Sequence, residues 1–373
     1  MFGVAVDLGT TTVVASLHEL PSGKEIAKQG LTNKQTVCGS DVISRMTYLR
    51  SGDRRQRLSK YATDTINELI VRLSSESGIQ QTDIYEVTVV GNTIMQQLLL
   101  NVDPLPIGET PFVPAFRRPT VWSARESGIE VHPDACFCLA PVIAGYVGGD
   151  IVADILATSV YESEKPVLLV DLGTNAEVVL ADRHRICACA CAAGPAFEGG
   201  EISQGIRAVP GAIEKVTLEG ERLGIGVIGN IDPTGICGSG LVDALAVLLD
   251  IGAVTSAGRL LPREEFSGPD WVLERILSRA DGVAFELWKG QKESIYLTEK
   301  DIREIQLAKG AVNAGIKILC HQHGVSPLDV EKVLIAGAFG SHLNPKSALK
   351  TGLIPPLPPE KVFFVGNTAW VGA

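Results

Sequence analysis

Two four-residue strings, Asp7–Thr10 and Asp171–Thr174, share the letters Asp-Leu-Gly-Thr. In such a string the glycine lets the backbone approach an anion closely, and backbone N–H groups and the threonine hydroxyl can donate to phosphate oxygens. The carboxylate can hold Mg²⁺ through water, because this ion gives up its hydration shell reluctantly. The strings therefore predict two phosphate-binding loops, with Asp7 and Asp171 as water-mediated magnesium ligands.

The context of each string distinguishes this chemistry from an ordinary turn. Asp and Gly are common in hairpin turns, so one such string alone would indicate only a turn. Both strings, however, lie between β-rich apolar runs, within Val4–Val14 and within Leu168–Val179, and each predicts a strand-turn-strand unit. The repeated context favours phosphate binding. The residues expected to contact phosphate are Gly9, Thr10, Thr11, Thr12, Gly173, Thr174 and Asn175.

Glu177 follows the second string by three residues. A carboxylate there could orient or deprotonate a water molecule that attacks the terminal phosphate. Alternation along the strand could equally direct the side chain to solvent. Asp7, Asp171 and Glu177 are therefore the predicted catalytic residues.

The hydrophobic periodicity predicts the framework for these loops. One helix is predicted around Leu58–Leu73, with Gly78 as its stop, and another after Thr298, which forms a capping pair with Asp301. A third, connecting helix is predicted over Pro141–Ala157. Because strands are followed by helices throughout, the chain is predicted to be an α/β protein.

The second half of the chain repeats the pattern of the first. Predicted strands at Lys332–Ala336 and Val362–Val365 each run into a glycine-containing loop. We expect residues 1–155 to form the first lobe, with phosphate loop one, and residues 156–373 to form the second, with phosphate loop two.

The composition narrows the class of protein. The chain has 373 residues and a formal net charge of −10, and it lacks the basic stripe typical of nucleic-acid-binding proteins. It has neither an apolar run of about 20 residues, which a membrane span requires, nor an N-terminal export signal. We therefore expect a cytoplasmic protein that binds neither nucleic acid nor membrane.

Eight cysteines in such a chain are expected to be thiols, because the cytoplasm is reducing. Cys187, Cys189 and Cys191 recur at every second residue, which would place them on one face of a strand. The chain has no Cys-x-x-Cys pair, so the pattern does not predict a metal cluster.

The order of the motifs resembles the superfamily of actin, sugar kinases and heat-shock chaperones. Its five elements occur in sequence at Asp7–Thr12, Pro141–Ala157, Asp171–Glu177, Ala336–Gly340 and Gly366–Ala373. The resemblance implies the duplicated actin-like (ribonuclease H-like) fold, with two lobes around a nucleotide cleft. It also assigns the adenosine contact to Gly337, Ala338, Phe339 and Gly340.

A narrower resemblance is to the actin-like domain of the ATP-dependent reductive activators of corrinoid proteins. The matching strings include Asn33-x-Gln35, Gly39-x-Asp41-Val42-Ile43-Ser44-Arg45, Gly91-Asn92-Thr93, Val147-Gly148-Gly149-Asp150, Ala193–Gly199 and Gly235–Gly240. In the last of these, Gly238 and Ser239 open an apolar helix whose N–H groups could bind an anion, or Ser239 could cap that helix. Asp41 and Arg45, one turn apart, are expected to form an intrahelical pair.

This resemblance implies the cofactors ATP and Mg²⁺ and a corrinoid protein or corrinoid methyltransferase as partner, whose Co(II) is reduced to Co(I). An electron donor is also implied. Members carry an iron-sulfur domain before the actin-like part, whereas here Asp7 lies almost at Met1. We therefore expect the iron-sulfur cluster on a separate donor or on a domain absent from this chain.

Two other functions stay open from the sequence. One is an ATP-dependent activator of 2-hydroxyacyl-CoA dehydratases. Such activators are also actin-like and hold an iron-sulfur cluster between two subunits, so a homodimer is a further possibility. The other is a non-redox actin-like scaffold or chaperone. Chelation-sensitive dimers would favour the former, and nucleotide-dependent sedimentation would favour the latter.

Overall fold

The computed structural model describes residues 1–50, 54–173, 175–290, 293–337 and 343–373. The chain forms two compact units, the first comprising Met1–Ser159 and Asn367–Ala373 and the second Val160–Gly366. The expected division after residue 155 placed the C-terminal residues in the second lobe, whereas they belong to the first unit. Within the described ranges, no helix has both the length and the apolar content needed to cross a membrane.

The strands alternate with helices along both units. In chain order the strands are β1 (Phe2–Leu8), β2 (Thr12–Glu19), β3 (Lys24–Thr32), β4 (Ile84–Val90), β5 (Thr120–Ser123), β6 (Cys136–Leu139), β7 (Val167–Leu172), β8 (Ala176–Ala181), β9 (Ile186–Cys191), β10 (Ala212–Leu218), β11 (Leu223–Val227), β12 (Gly235–Ile236), β13 (Ile276–Arg279), β14 (Gly282–Trp288), β15 (Ile295–Thr298), β16 (Lys332–Ala336) and β17 (Val362–Gly366).

The α-helices range from a single turn to seven turns. In chain order they are α1 (Val42–Leu49), α2 (Arg55–Ser77), α3 (Thr93–Leu99), α4 (Ala124–Ser127), α5 (Gly149–Thr158), α6 (Gly238–Asp250), α7 (Asp270–Leu273), α8 (Glu299–His323), α9 (Pro345–Lys350) and α10 (Thr368–Gly372).

The two units repeat one sheet topology. The first contains a sheet in the order β3-β2-β1-β4-β6-β5, and the second a sheet in the order β17-β16-β7-β8-β9. Each unit contains an antiparallel meander of three strands, β1 to β3 in the first and β7 to β9 in the second. Parallel strands extend each meander on the side of its first strand. They are β4 and then β6 beside β1, and β16 and then β17 beside β7. The chain is therefore an α/β protein with a duplicated fold, as the repeated hairpins predict.

Each unit has its own apolar core. In the first, α2 buries Leu58, Ala62, Ile66, Leu69, Ile70 and Leu73 completely, which confirms the predicted helix, and it ends at Gly78 in the left-handed conformation. In the second, α8 begins with the predicted capping box of Thr298 and Asp301. Helical periodicity and capping are local properties of the chain, and both predictions are confirmed.

The predicted helix Pro141–Ala157 is wrong in its first half, because α5 begins only at Gly149. The residues before it make a turn that is bridged between Ala144 and Val147. Gly148 then lies so close to the backbone after β4 that an added Cβ would be 2.5 Å from the Cα of Asn92. The glycines serve close backbone packing here, which helical periodicity does not reveal.

Candidate functional site

The first phosphate loop joins β1 to β2 in the predicted hairpin. Asp7 lies opposite Val14 and Leu8 opposite Val13, so the residues from Gly9 to Thr12 connect the last pair of the hairpin. A side chain at Gly9 would overlap the carbonyl oxygen of Thr12. The tight turn thus requires glycine at this position, as the loop prediction assumes.

The Asp7 carboxylate is half-buried at the end of β1. Its Oδ2 accepts a hydrogen bond of 2.9 Å from Nδ2 of Asn367. Burial raises the pKa of the Asp7 carboxyl, whereas the Asn367 hydrogen bond and the positive charge of Lys28 oppose that rise. Asp7 is thus a fixed carboxylate at the predicted phosphate loop.

Three further side chains hold the turn from outside the hairpin. Nδ2 of Asn33 donates to the carbonyl oxygen of Gly9 at 2.9 Å, and the Arg45 guanidinium donates to the carbonyl oxygen of Thr10. Nδ2 of Asn92 donates to Oγ1 of Thr10 at 3.0 Å. In a trans peptide the N–H points away from the C=O, so the N–H groups of Thr10 and Thr11 are directed away from Asn33 and Arg45. This arrangement suits an anion on the N–H side.

Arg45 is the unusual member of this set, since its side chain is 0% exposed. It also donates to Oε1 of Gln35 at 3.0 Å and to the carbonyl oxygen of Gly39 at 3.1 Å. Burial lowers the pKa of the guanidinium to about 10, so it stays charged at neutral pH. Asp41 accepts a hydrogen bond from the backbone N–H of Ser44 at 2.8 Å and caps α1. In place of the expected intrahelical pair, Asp41 thus caps the helix and Arg45 donates to backbone carbonyl groups.

The second phosphate loop also joins two antiparallel strands, β7 and β8. The turn is closed by the Gly173 N–H, which donates to the carbonyl oxygen of Asn175 at 2.9 Å. Asp171 and Glu177 are directly opposite each other across the hairpin, and side chains of such a pair share one face with Cβ atoms about 5 Å apart. Both are half-buried. Thr174 lies outside the described residues.

Asp171 lies beside Ala336 and Gly337, the described part of the predicted adenosine loop. Ala336, the last residue of β16, pairs with Asp171, and Gly337 follows with a φ of +91°. An added Cβ at Gly337 would be 2.5 Å from Oδ1 of Asp171, so this position requires glycine on both counts. The other predicted adenosine contacts, Ala338, Phe339 and Gly340, lie outside the described residues.

Gly238 and Ser239 form the first turn of α6, as predicted. The N-cap is Cys237 and not Ser239, which excludes the capping alternative for Ser239. The Ser239 hydroxyl is buried and donates to the carbonyl oxygen of Glu214 at 2.9 Å. Any anion contact of this turn would therefore use backbone N–H groups.

The cysteines lie as their spacing predicts. Cys187, Cys189 and Cys191 are all in β9, and all eight cysteines are free thiols. Among the described residues, no three or more His, Cys, Asp or Glu side chains form a group able to hold a metal ion directly. Mg²⁺ does not require such a group, because it keeps several of its water ligands and binds to proteins through one or two carboxylates.

Sequence-based reasoning missed the side chains that hold the first loop. Asn33 and Asn92 occurred in the resembling strings without a role, Arg45 was expected only to pair with Asp41, and Asn367 followed a predicted strand. The available signal for the last was its context, because Gly-Asn-Thr after an apolar strand occurs at both Gly91–Thr93 and Gly366–Thr368.

Comparison with known proteins gives a consistent assignment. Residues 2–163 match the RACo middle region, and residues 165–373 match the C-terminal domain of RACo, the ASKHA domain. The whole chain is 33% identical to the corrinoid activation enzyme RamQ of Eubacterium limosum, covering 63% of that protein. Over 99% of the chain it is 28% identical to the [Co(II) methylated amine-specific corrinoid protein] reductase of Methanosarcina barkeri, covering 68% of it.

The solved structure of a reductive activator for a corrinoid, iron-sulfur protein is also similar. It is 39% identical to this chain and superimposes with a TM-score of 0.85. The match covers 100% of this chain and 59% of that protein. The chain thus spans 59–68% of the length of these relatives. Because the two family matches together extend over residues 2–163 and 165–373, the chain belongs to the RACo family and has its actin-like ASKHA fold.

Proposed function

We propose that this chain is the ATP-binding part of a reductive activator of corrinoid proteins. The observation that carries the proposal is the match of the whole chain, at 33% identity, to a corrinoid activation enzyme. The hairpin at Asp7, which is held in place by four side chains, supports the nucleotide-binding role. The proposal concerns the activity of a larger protein, since the chain matches 63% of that relative's length.

Each loop, taken by itself, offers groups that suit a phosphate or a hydrated Mg²⁺. Carboxylates are the oxygen ligands that a hydrated Mg²⁺ accepts, and the first turn directs the N–H groups of Thr10 and Thr11 away from the side chains that hold it. We assign Asp7 and Asp171 to the metal's water shell. The phosphate contacts are the N–H and hydroxyl groups of Gly9, Thr10, Thr11, Thr12, Gly173, Thr174 and Asn175, and the N–H groups at Gly238 and Ser239. Bound Mg²⁺ would supply charge neutralisation on the phosphates.

Glu177 is the proposed residue for the attacking water. It lies directly across the hairpin from Asp171. A water molecule near Asp171 could therefore donate hydrogen bonds to both carboxylates, which would orient it. The adenosine contact is assigned to Gly337 and, following the family resemblance, to Ala338, Phe339 and Gly340.

The substrate in this proposal is a corrinoid protein whose cobalt has been oxidised to Co(II). One electron from an iron-sulfur donor reduces it to Co(I). ATP can assist only through its different affinities for the conformations of the activator, and this difference is available to change the docked partner. The electron donor, the cytoplasmic location and the absence of nucleic-acid and membrane partners belong to the same proposal, and a homodimer is compatible with it.

The test measures ATP affinity by calorimetry with and without a purified Co(II) corrinoid protein, and follows the corrinoid absorption spectrum in the same mixtures. Coupling between sites is reciprocal, so the corrinoid protein should change ATP affinity by the factor by which ATP changes the affinity for the corrinoid protein. Equal ATP affinities together with an unchanged spectrum, across several corrinoid proteins, would refute the assignment and leave an ATPase with another partner.

A further inference from the structure

The string Gly-Asn-Thr occurs twice, each time directly after a parallel strand, at the ends of β4 and β17. In both copies the asparagine is the N-cap of the next helix. Oδ1 of Asn92 accepts from the N–H of Met95 at 3.0 Å, and Oδ1 of Asn367 accepts from the N–H of Trp370 at 3.0 Å. Each asparagine thereby uses its carbonyl oxygen for the helix and keeps its amide N–H groups for another acceptor.

Both amide groups donate to the same hairpin but to chemically different atoms. Asn92 donates to the hydroxyl oxygen of Thr10 at 3.0 Å, which fixes a proposed phosphate contact. Asn367 donates to a carboxylate oxygen of Asp7 at 2.9 Å, which fixes a proposed ligand of the hydrated metal. The two copies of one motif thus hold two different side chains of the first hairpin.

Asn367 is itself held firmly in the first unit. The indole N–H of Trp370 donates to Oγ of Ser16 at 2.6 Å, and the Thr368 hydroxyl donates to Oδ1 of Asp154 at 2.5 Å. These bonds hold the first turn of α10, where Asn367 is the cap. An amide group fixed in this way can determine the rotation of the carboxylate that it contacts.

We propose that Asn367 is a positioning residue for Asp7, and that its amide group determines how strongly Mg²⁺ enhances ATP binding. The inference rests on the proposed function, because it needs ATP at the first loop. Asn92 has the parallel role for the phosphate contact and acts with or without the metal. A hydrogen bond between a neutral donor and a carboxylate is stronger than one between neutral groups, so the loss at Asn367 should be measurable.

The test compares Asn367→Ser with Asn92→Ser. Serine is a good N-cap, so both variants keep the helix cap while they lose the amide donor. ATP affinity is measured by calorimetry in EDTA and across a Mg²⁺ titration, and circular dichroism checks the fold. For Asn367→Ser we expect the Mg²⁺-dependent gain in affinity to fall about tenfold, the scale of a hydrogen bond to a charged group, with the affinity in EDTA unchanged. For Asn92→Ser both affinities should fall by a similar factor.

Three results would overturn the inference. If Asn367→Ser keeps the full Mg²⁺-dependent gain, the amide group does not position Asp7. If Asn367→Ser weakens ATP binding equally with and without Mg²⁺, Asn367 has only a structural role. The variant Asn367→Ala, which also removes the helix cap, should then show the same uniform loss of affinity. If the wild-type chain shows no Mg²⁺-dependent gain at all, the proposed function fails together with the inference.

Discussion

Replacing Arg45 by methionine should loosen the first phosphate loop. Methionine has a similar length and is apolar, so the change removes the guanidinium while it keeps much of the buried volume. The carbonyl oxygens of Thr10 and Gly39 then lose their Arg45 donor. Oε1 of Gln35 keeps a second donor, Nδ2 of Asn33 at 3.3 Å.

The expected loss follows from these contacts. A buried acceptor that loses its donor costs about 1–3 kcal/mol, and two half-buried carbonyl groups are affected. Removal of a buried charge also removes its desolvation cost, which offsets part of this loss. We therefore expect the β1–β2 hairpin to be destabilised by about 2 kcal/mol, which corresponds to about thirtyfold faster opening-limited exchange at 1.4 kcal/mol per factor of ten.

Hydrogen–deuterium exchange of peptides from β1 and β2 measures this local opening directly, without requiring the two units to unfold together. The matched control is Arg72→Met in α2. Arg72 is half-exposed and makes a surface pair with Glu68 at 2.7 Å, which should contribute less than about 0.5 kcal/mol. If exchange in β1 and β2 is the same in Arg45→Met, Arg72→Met and wild type, the assignment of Arg45 as a support of the loop is wrong.

Three other changes test separate parts of the structure. Gly337→Ala should lower ATP affinity by tenfold or more by calorimetry, because the new Cβ would be 2.5 Å from Oδ1 of Asp171. Glu177→Gln should keep ATP affinity but lose most of the turnover in a phosphate-release assay, and unchanged turnover would remove Glu177 from the mechanism. Gly315→Ala should overpack α8 against the thiol of Cys191 and destabilise the second unit by about 1–3 kcal/mol. The double variant with Cys191→Ala should recover most of that stability in urea titrations, and additive losses would exclude this contact as the cause.

The hairpins and long helices could be predicted from the sequence because their signals are local. Alternation on both sides of a glycine turn predicts a hairpin, and the Thr298–Asp301 pair predicts where α8 begins. The repeat of the first hairpin in the second also predicted two similar halves, and the two sheets do share one topology.

The supports of the first loop could not be predicted in the same way. Asn33, Arg45, Asn92 and Asn367 reach the hairpin from four separate segments, and hydrophobic periodicity contains no information on such tertiary contacts. Arg45 illustrates the difficulty, because helical spacing favours a pair with Asp41, whereas burial of the side chain directs the guanidinium to backbone carbonyl groups.

The start of α5 was missed for a related reason. Periodicity continues from Pro141 through the apolar residues before Gly149, and it predicts one helix. The chain at Gly148 instead packs against the backbone of Gly91 and Asn92, and the Gly149 N–H donates to the carbonyl oxygen of Gly91 at 2.9 Å. The need for glycine at this position becomes visible only when the neighbouring backbone after β4 is in place.

Calorimetric titration of Mg²⁺–ATP into the wild-type chain, Asp7→Ala and Asp171→Ala tests the central claim most directly. If both loops bind the phosphates of Mg²⁺–ATP through hydrated metal, the wild type should bind one nucleotide per chain, and each variant should lose at least about tenfold in Mg²⁺-dependent affinity, the scale of one interaction with a charged group. Binding by both variants that is as tight as that of the wild type would contradict the account.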